Sequence, residues 1–384
     1  MLKIGLIGKP NAGKSTLFSA ITLSDVDIAN YPFTTIKPNV GISYITDECP
    51  ERYIGAKCNP REGKCINGIR YIPVEIIDVP GLIEGASEGK GMGNEFLDNI
   101  RDADIIINLY DVNGDEDSGD YKININMVRN EIMLWLKERI YRDWQKFARK
   151  EDADTSERLI EKILKKVASF GIKEKDLFYI MSNDSFPERL IDWKPVDVER
   201  FCNDILTYVK PIFNIGNKID LLDSDSIEKI KKDLNNNFLI SAEYEFILAK
   251  AFKNGYINNN SIDFNYTNKS GEEQKNALEK IRMFYKNNGI RTFTDIITDI
   301  IKGLGYIVVY PVADENKWTD KNGNILPDAY IVKDGTTALD LAFLVHTDIG
   351  KNFIRAINGK TKRVIGKDYK LLNNDVVRIV SNLR

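Results

Sequence analysis

The chain has 384 residues, of which 43% are hydrophobic and 29% charged, and its formal net charge is -3 at pH 7. That length is enough for two to three domains, each with its own core. A net charge this small gives no overall case for nucleic-acid binding, and no apolar run is long enough for a transmembrane helix. The N-terminus lacks the basic start and cleavage site of a signal peptide, so the sequence predicts a soluble protein of the cytoplasm.

The first predicted element is a strand over residues 2–7, and a glycine-rich turn follows it directly. Successive amides in such a turn curl around phosphate, and the following helix adds the positive end of its dipole. The lysine reaches the outer phosphates, and the serine hydroxyl can bind Mg²⁺. The pattern predicts a nucleotide-binding P-loop, G-x-x-x-x-G-K-S, formed by Gly8, Lys9, Pro10, Asn11, Ala12, Gly13, Lys14 and Ser15, with Thr16 opening the helix.

A second buried strand, predicted over residues 72–77, ends in D-V-P-G. Asp78 at its carboxyl end can hold the Mg²⁺ shell through water, and the N–H of Gly81 can contact the terminal phosphate. This motif is weak alone, but it follows the P-loop in the order that a nucleotide site requires.

Two later apolar runs, residues 212–215 and 238–240, end in the motifs that would read the base. Asp220 can accept hydrogen bonds from the ring N–H and amino group of guanine, with Lys218 along the base and Asn217 tying this turn to the P-loop. A backbone N–H of the turn that contains Ser241 and Ala242 can meet the guanine carbonyl. Adenine presents the opposite pattern, so the four motifs together predict a guanine site.

The motifs as a set resemble the Obg-related GTPases of the translation-factor class. The resemblance rests on the G-x-P-N-x-G-K-S loop, the switch segment Tyr31-Pro32-Phe33-Thr34-Thr35 and the glycine-rich residues 81–86. From about Tyr306 the chain resembles a TGS domain, in G-T-T-A-L-D-L-A and V-H-T-D-I-G. With the P-loop at one end and TGS at the other, the arrangement is similar to the archaeal YchF-like branch.

The resemblance implies a protein that binds GTP and GDP, with Ser15, Thr35 and Asp78 around Mg²⁺ and Lys14, Thr35 and Gly81 in hydrolysis. YchF relatives without a normal N-K-x-D tend to prefer ATP, whereas this chain keeps the motif. Two alternatives remain open. One is a YchF-type ATPase, and the other is an RNA- or ribosome-binding adaptor with negligible turnover.

Leu82 stands where many GTPases have a glutamine that orients the attacking water. A leucine cannot hydrogen-bond to water, so intrinsic hydrolysis is expected to be slow. Asn11 is a hypothetical ligand for K⁺, which in some potassium-stimulated GTPases acts like an arginine finger.

The predicted fold class is α/β, a P-loop G domain with a mostly parallel doubly wound sheet. A further strand is expected over 105–110. Two helices, one with an apolar stripe from Met133 to Phe147 and one beginning at a cap on Asp154 with Glu157, suggest an inserted helical hairpin. The expected boundaries are 1–122 and 206–303 for the G domain, 123–205 for the insertion and 304–384 for a β-grasp-like α+β TGS domain.

Two features suggest partners without identifying them. The stretch from Lys351 to the C-terminus carries a net charge of +7, which favours RNA or ribosome binding through the TGS domain. Its cations are Lys351, Arg355, Lys360, Lys362, Arg363, Lys367, Lys370, Arg378 and Arg384. The basic helix with Trp135 and Trp144 is a weaker RNA hypothesis. The oligomeric state stays open.

The four cysteines are Cys49, Cys58, Cys65 and Cys202, and three of them crowd one Pro- and Gly-containing segment. Their spacing lacks the C-x-x-C pairs of zinc ribbons, and the single histidine, His346, lies far away. Reduced thiols in an extended insertion are therefore expected, in preference to a metal site. His346 is expected to have a structural role.

Overall fold

The computed structural model describes residues 1–23, 39–79, 100–114, 120–233 and 238–382. Thr35, Gly81, Leu82 and Arg384, to which the sequence assigns roles or charge, lie outside these residues. No helix within the described ranges combines the length and apolarity needed to cross a membrane.

A mostly parallel sheet forms the first part of the fold, as expected. Its strands run in the order β2-β4-β1-β5-β6; β4, β1, β5 and β6 are parallel, while β2 and β3 pair antiparallel with β4. The carboxyl ends of the four parallel strands therefore meet at one edge of the sheet. The strands are β1 (Lys3–Ile7), β2 (Val40–Glu48), β3 (Lys64–Ile66), β4 (Ile69–Asp78), β5 (Ile105–Asp111) and β6 (Ile212–Asn217).

Helices on both faces of this sheet follow from apolar residues at helical spacing. The apolar run at residues 238–240 lies beside β6 as a short extended segment, because Gly216 donates to the carbonyl of Phe238 at 2.9 Å and Ile240 donates to Gly216 at 2.8 Å. The helices are α1 (Lys14–Leu23), α7 (Ser224–Asp233), α8 (Ala242–Lys253), α9 (Glu272–Asn287) and α10 (Phe293–Gly303).

The inserted segment is larger than the expected hairpin of two helices. In the described residues between β5 and β6 it contains α2 (Tyr121–Tyr141), α3 (Trp144–Asp152), α4 (Leu159–Val167), α5 (Glu174–Asn183) and α6 (Pro195–Asp204). They enclose a core of their own around Trp144 and Trp193. Trp144 is fully buried and its indole N–H donates to the carbonyl of Leu190, so this ring is unavailable for stacking on a base.

The helix that the sequence predicts to begin at Asp154 begins later. Asp154 accepts hydrogen bonds from the N–H and hydroxyl of Ser156, which forms a turn. The helix α4 begins at Leu159, and Glu161 accepts from the backbone N–H of Arg158. The carboxylate three residues after the cap is therefore Glu161 and not Glu157.

The C-terminal part is a second mixed sheet with two helices, in agreement with a TGS domain. Its strand order is β10-β9-β11-β7-β8, with β11 and β7 parallel and the other pairs antiparallel. His346 has the expected structural role, since its ring nitrogen Nδ1 accepts from the N–H of Asp348. The elements are β7 (Tyr306–Val312), β8 (Tyr330–Lys333), α11 (Ala338–Val345), α12 (Thr347–Lys351), β9 (Phe353–Asn358), β10 (Val364–Ile365) and β11 (Asp375–Ser381).

The segment before β4 is not the expected extended insertion. Residues Pro50–Tyr53 form a 3₁₀ turn, and β3 folds back onto β4. This compact path brings Cys49, Cys58 and Cys65 together, whereas Cys202 lies in the helical core.

Candidate nucleotide site

The loop between β1 and α1 has the backbone shape that the P-loop pattern predicts. Gly8 and Gly13 have φ of 153° and 92°, where a side chain is strained. A Cβ at Gly8 would lie 2.2 Å from the carbonyl oxygen of Leu109, and one at Gly13 would lie 2.1 Å from Nδ2 of Asn217. Both positions therefore require glycine because of close neighbours as well as dihedral angles.

The Lys14 side chain is held over this loop by backbone carbonyls of the loop. Its Nζ donates to the carbonyls of Gly8 at 2.8 Å and Lys9 at 3.1 Å. Burial lowers the pKa of Lys14, and the nearby Asp78 carboxylate partly opposes that shift. Burial likewise raises the pKa of Asp78, which Lys14 partly opposes. Each charge is thus costly to bury and is partly stabilised by the other.

Oxygen donors suited to Mg²⁺ lie at the same edge of the sheet. Oδ1 of Asp78 is buried without a hydrogen-bond partner among the described residues. Ser15, in the first turn of α1, is exposed. A carboxylate and a hydroxyl are hard oxygen ligands of the type that Mg²⁺ takes, directly or through water, so these residues fit the ion.

Asn217 joins the N-K-x-D turn to the P-loop, as the sequence predicts. Its Nδ2 donates to the carbonyl of Ala12 at 2.8 Å, and its Oδ1 accepts the N–H of Ala242 at 2.8 Å. The residue is 1% exposed. One amide therefore connects three separate chain segments at the edge of the sheet.

The Asp220 carboxylate lies in the turn after β6, in the 3₁₀ turn Ile219–Leu221. It is half-buried and has no hydrogen-bond partner among the described residues, so its oxygens are available to a ligand. The pKa of Tyr244 is raised by burial and, to a smaller extent, by the charge of Asp220, which places this carboxylate near α8.

Two contacts at this turn were not foreseen. Lys218, whose φ is 68°, pairs through Nζ with Asp111 at 2.7 Å. In the register of β5 with β6, Asp111 lies opposite Asn217, which explains why this pair can form. The N–H of Ala242 is occupied by Asn217, so a donor to a guanine carbonyl from this turn would be another amide, such as that of Glu243.

The structure thus brings together the P-loop (Gly8 to Thr16), Asp78, the turn with Asn217, Lys218 and Asp220, and the start of α8 at Ser241 and Ala242. Ser241 is fully buried and caps α8 by accepting the N–H of Tyr244 at 3.1 Å. Pro10, Asn11, Asp111 and Lys218 line one cleft. Asp111 is the residue that sequence reasoning missed, and its only signal is a carboxylate at the end of a predicted strand.

Comparison with known families and proteins matches this organisation. Residues 3–140 match the 50S ribosome-binding GTPase family, 215–314 match the G4 motif-containing domain of Obg-like YGR210-like GTPases, and 321–381 match the TGS domain. A GTP-binding protein of Methanocaldococcus jannaschii is 42% identical over 99% of both chains.

Two further relatives match over most of their length. The ribosome-binding ATPase YchF of Mycoplasma genitalium is 28% identical over 92% of this chain and 88% of its own. The crystal structure of a GTP-binding protein from Pyrococcus horikoshii superposes with a TM-score of 0.78 at 31% identity, over 99% of this chain and all of its own. The chain therefore belongs to the Obg-related, YchF-like family of P-loop GTPases with a C-terminal TGS domain.

Proposed function

We propose that this protein binds GTP and GDP at the edge of the first sheet and hydrolyses GTP to GDP and phosphate in a Mg²⁺-dependent reaction. Its nucleotide state would act as a switch for binding ribosomes or RNA. The intrinsic rate would be slow, because Leu82 cannot orient a water molecule.

The observation that carries this proposal is the buried amide of Asn217. Its hydrogen bonds to Ala12 and Ala242 hold the N-K-x-D turn beside the P-loop. A single ligand can therefore place its base at that turn and its phosphates at the loop. This supports a nucleotide whose base is read by Asp220.

The phosphates would be bound by the amides of residues 8–16 and by the N-terminus of α1. The ammonium group of Lys14 lies directly over the loop. It would therefore exchange its hydrogen bonds to the carbonyls of Gly8 and Lys9 for hydrogen bonds to phosphate oxygens. The role of these residues is positioning and charge stabilisation, which is most of what phosphoryl transfer requires from a protein. Thr35 and Gly81 would complete the γ-phosphate contacts.

Mg²⁺ would be held by Ser15, Thr35 and Asp78, and it would supply charge neutralisation on the phosphates. The orphaned oxygen of Asp78 supports this assignment. Asn11, exposed in the P-loop with φ of 64°, is the proposed ligand for K⁺.

Binding to a ribosome or RNA is proposed from two observations. The matched relative from Mycoplasma genitalium is a ribosome-binding ATPase. In this chain, six of the cations noted in the sequence are exposed on the C-terminal part and have no ion-pair partner among the described residues: Lys351, Arg355, Lys362, Arg363, Lys367 and Lys370.

The substitution Asp220→Asn tests the proposal. Losing hydrogen bonds to a charged acceptor costs about 1.5–3 kcal/mol, so we expect GTP affinity to fall by about 10- to 150-fold. Xanthosine triphosphate, whose base presents a carbonyl where guanine has its amino group, should bind the variant better than GTP does. Fluorescent-nucleotide titration with competition by GTP, XTP and ATP measures this.

Asp223→Asn is the matched control, because Asp223 accepts the N–H of Ser226 at the start of α7 and has no place in the base site. It should leave all affinities unchanged. Tighter binding of ATP than GTP by the wild type would instead favour a YchF-type ATPase. Guanine-specific binding without turnover, with and without ribosomes, would favour an adaptor whose nucleotide is structural.

A further inference from the structure

Three thiols and one carboxylate converge beside the first sheet, away from the P-loop. The ligand atoms of Cys49, Glu51, Cys58 and Cys65 all lie within 4.8 Å of one another, and no other such group occurs among the described residues. We propose that these four side chains bind one zinc ion, which fastens this segment to the C-terminal part of the protein.

The spacing of the sulfur atoms suits a tetrahedral zinc ion. A Zn–S bond of about 2.3 Å separates two thiolates on one ion by roughly 3.8 Å. The Sγ atoms of Cys49 and Cys58 lie 3.6 Å apart. Small adjustments of side-chain torsions would therefore seat an ion among the thiols, without movement of the backbone.

The surrounding backbone positions these four side chains so that their ligand atoms lie close together. Glu51 lies in the 3₁₀ turn that begins directly after Cys49, and its Oε2 accepts the N–H of Cys58 at 2.7 Å. Cys65 lies in the middle of β3, opposite Arg70 of β4. The three thiols thus come from a short coil, a loop and a strand, each held by its own hydrogen bonds.

A buried cation accompanies the group. Arg70 is 1% exposed, and its guanidinium donates to Sγ of Cys58 at 3.6 Å. Among the described residues it pairs with no carboxylate. Three thiolates and a carboxylate leave an excess of negative charge around a divalent ion, which Arg70 would offset as an outer partner of the site.

Ordinary core thiols would not need this arrangement. A free cysteine packs as a small hydrophobic residue, and Cys202 does so in the helical core. Cys49 also belongs to an apolar cluster, with Cys58 and Cys65 packed against it, but this group adds a carboxylate fixed by a backbone N–H and a buried arginine. Soft thiolate ligands select zinc over Mg²⁺ or Ca²⁺, which prefer oxygen.

The same segment contacts the C-terminal part through its backbone. Asn59 donates its N–H to the carbonyl of Ile325 at 2.8 Å, and that of Arg61 donates to Pro327 at 2.9 Å. Arg70 donates to the carbonyls of Leu326 and Pro327, both at 3.0 Å. An ion that holds Cys58 in place therefore also holds the neighbouring residues against the loop before β8.

The test is metal analysis of the full chain, purified under reducing conditions and exchanged into metal-free buffer. We expect about one zinc per chain by plasma mass spectrometry. After chelation, titration with Co²⁺ should give one equivalent bound, with thiolate-to-cobalt charge-transfer absorption and the visible bands of a tetrahedral site. Cys58→Ser should lose at least tenfold in Co²⁺ affinity, whereas Cys202→Ser, the matched control, should retain both signals.

Glu51→Gln tests the carboxylate ligand independently of the thiols. This variant should keep the thiolate-to-cobalt charge-transfer band and alter the visible bands. Hydrogen exchange gives an independent readout that needs no variant. The amides of Asn59 and Arg61 should exchange faster after chelation and recover on adding zinc. Wild-type protein without metal or cobalt signal, a Cys49–Cys58 disulfide in the purified chain, or cobalt bands unchanged in Cys58→Ser would overturn the proposal.

Discussion

Asn217 contributes an uncharged amide that uses both of its ends. A carboxylate at the same place would lack the donor for the carbonyl of Ala12, and a lysine would lack the acceptor for the N–H of Ala242. The side chain is buried, and its removal would take away the hydrogen-bond partner of both backbone groups. Its geometry is therefore a requirement of the turn as well as of the ligand.

Replacing Asn217 by alanine should weaken both folding and nucleotide binding. Two buried backbone groups lose their partners, each at a cost of about 1–3 kcal/mol. We expect the free energy of unfolding to fall by about 2–6 kcal/mol in urea titrations, and GTP affinity to fall by at least tenfold.

Asn358→Ala supplies the control. Asn358 is also buried, donates to Asp375 and accepts the N–H groups of Lys360 and Thr361, but it lies in β9. It should lower stability to a similar extent and leave GTP affinity unchanged. An equal loss of affinity in both variants would mean that stability alone explains the effect of Asn217.

The bond from Asn217 to the P-loop could be predicted from sequence because two linear motifs specify it. The pairing of Lys218 with Asp111 could not, because it depends on the register of β5 against β6. The same limit applies to the three cysteines. Their separations along the chain match no familiar zinc pattern, and they meet because β3 folds back on β4.

At the scale of elements, Glu245 links three helices in the interior. This residue of α8 accepts a hydrogen bond from the hydroxyl of Tyr285 in α9 at 2.9 Å and from the N–H of Phe293 at the start of α10 at 3.2 Å. Burial raises its pKa from 4.5 to about 7, although these two donors oppose the shift. The carboxylate therefore holds a proton in the folded protein at pH values where the unfolded chain has released it.

This difference predicts a stability that depends on pH. A raised native pKa stabilises the fold fully below about pH 4.5, and that contribution is lost as the pH rises through 7. Glu245→Gln keeps the acceptor oxygen and cannot ionise. Relative to wild type, its free energy of unfolding should rise between pH 5 and pH 8 by up to about 3 kcal/mol.

Urea titrations at both pH values measure this difference, and Glu243→Gln on the exposed face of α8 is the control. That control should follow the wild type at both pH values. A wild type and Glu245→Gln that change in parallel between pH 5 and pH 8 would show that Glu245 keeps an ordinary pKa in the fold.

The ends of the helices were the hardest features of the fold to predict from the sequence. The apolar repeat from Met133 to Phe147 is continuous in sequence, yet the helix stops at Tyr141 and restarts at Trp144, with Asp143 at φ of 58°. Both helices pack against the same core, so the apolar spacing persists across the break. Periodicity reports which face is buried and cannot report a change of direction between two helices on that face.

At the scale of the whole molecule, the two sheets share one core. Among the described residues, one apolar cluster contains Ile4 and Ile76 from the first sheet together with Tyr310 and Val376 from the second, and Phe293 of α10 belongs to it. Lys302 of α10 also pairs with Asp47 of β2 at 3.0 Å, and Asp47 accepts from Asn373 beside β11. The C-terminal sheet therefore packs against the first sheet through one continuous core and through polar contacts at Asp47.

Exposed arginines of the C-terminal sheet lead to a prediction about the salt dependence of RNA binding. Arg355 of β9 and Arg363, the residue before β10, are both exposed, and β9 pairs with β10. If they neutralise RNA phosphates, each contributes about 0.7 to the slope of log binding constant against log salt for a single strand. Arg355→Gln combined with Arg363→Gln should weaken binding and reduce the slope by roughly 1.4, measured by fluorescence anisotropy between 50 and 200 mM KCl.

Arg378→Gln is the matched control, because its guanidinium already pairs with Glu315 at 2.6 Å. An arginine neutralised within the protein releases no counterions from RNA, so its removal should leave the slope unchanged. Equal slopes for the wild type and the double variant would exclude this edge of the sheet as the RNA contact. A reduced slope in the double variant alone would place the phosphates along β9 and β10, on the part of the fold whose core is continuous with the nucleotide-binding sheet.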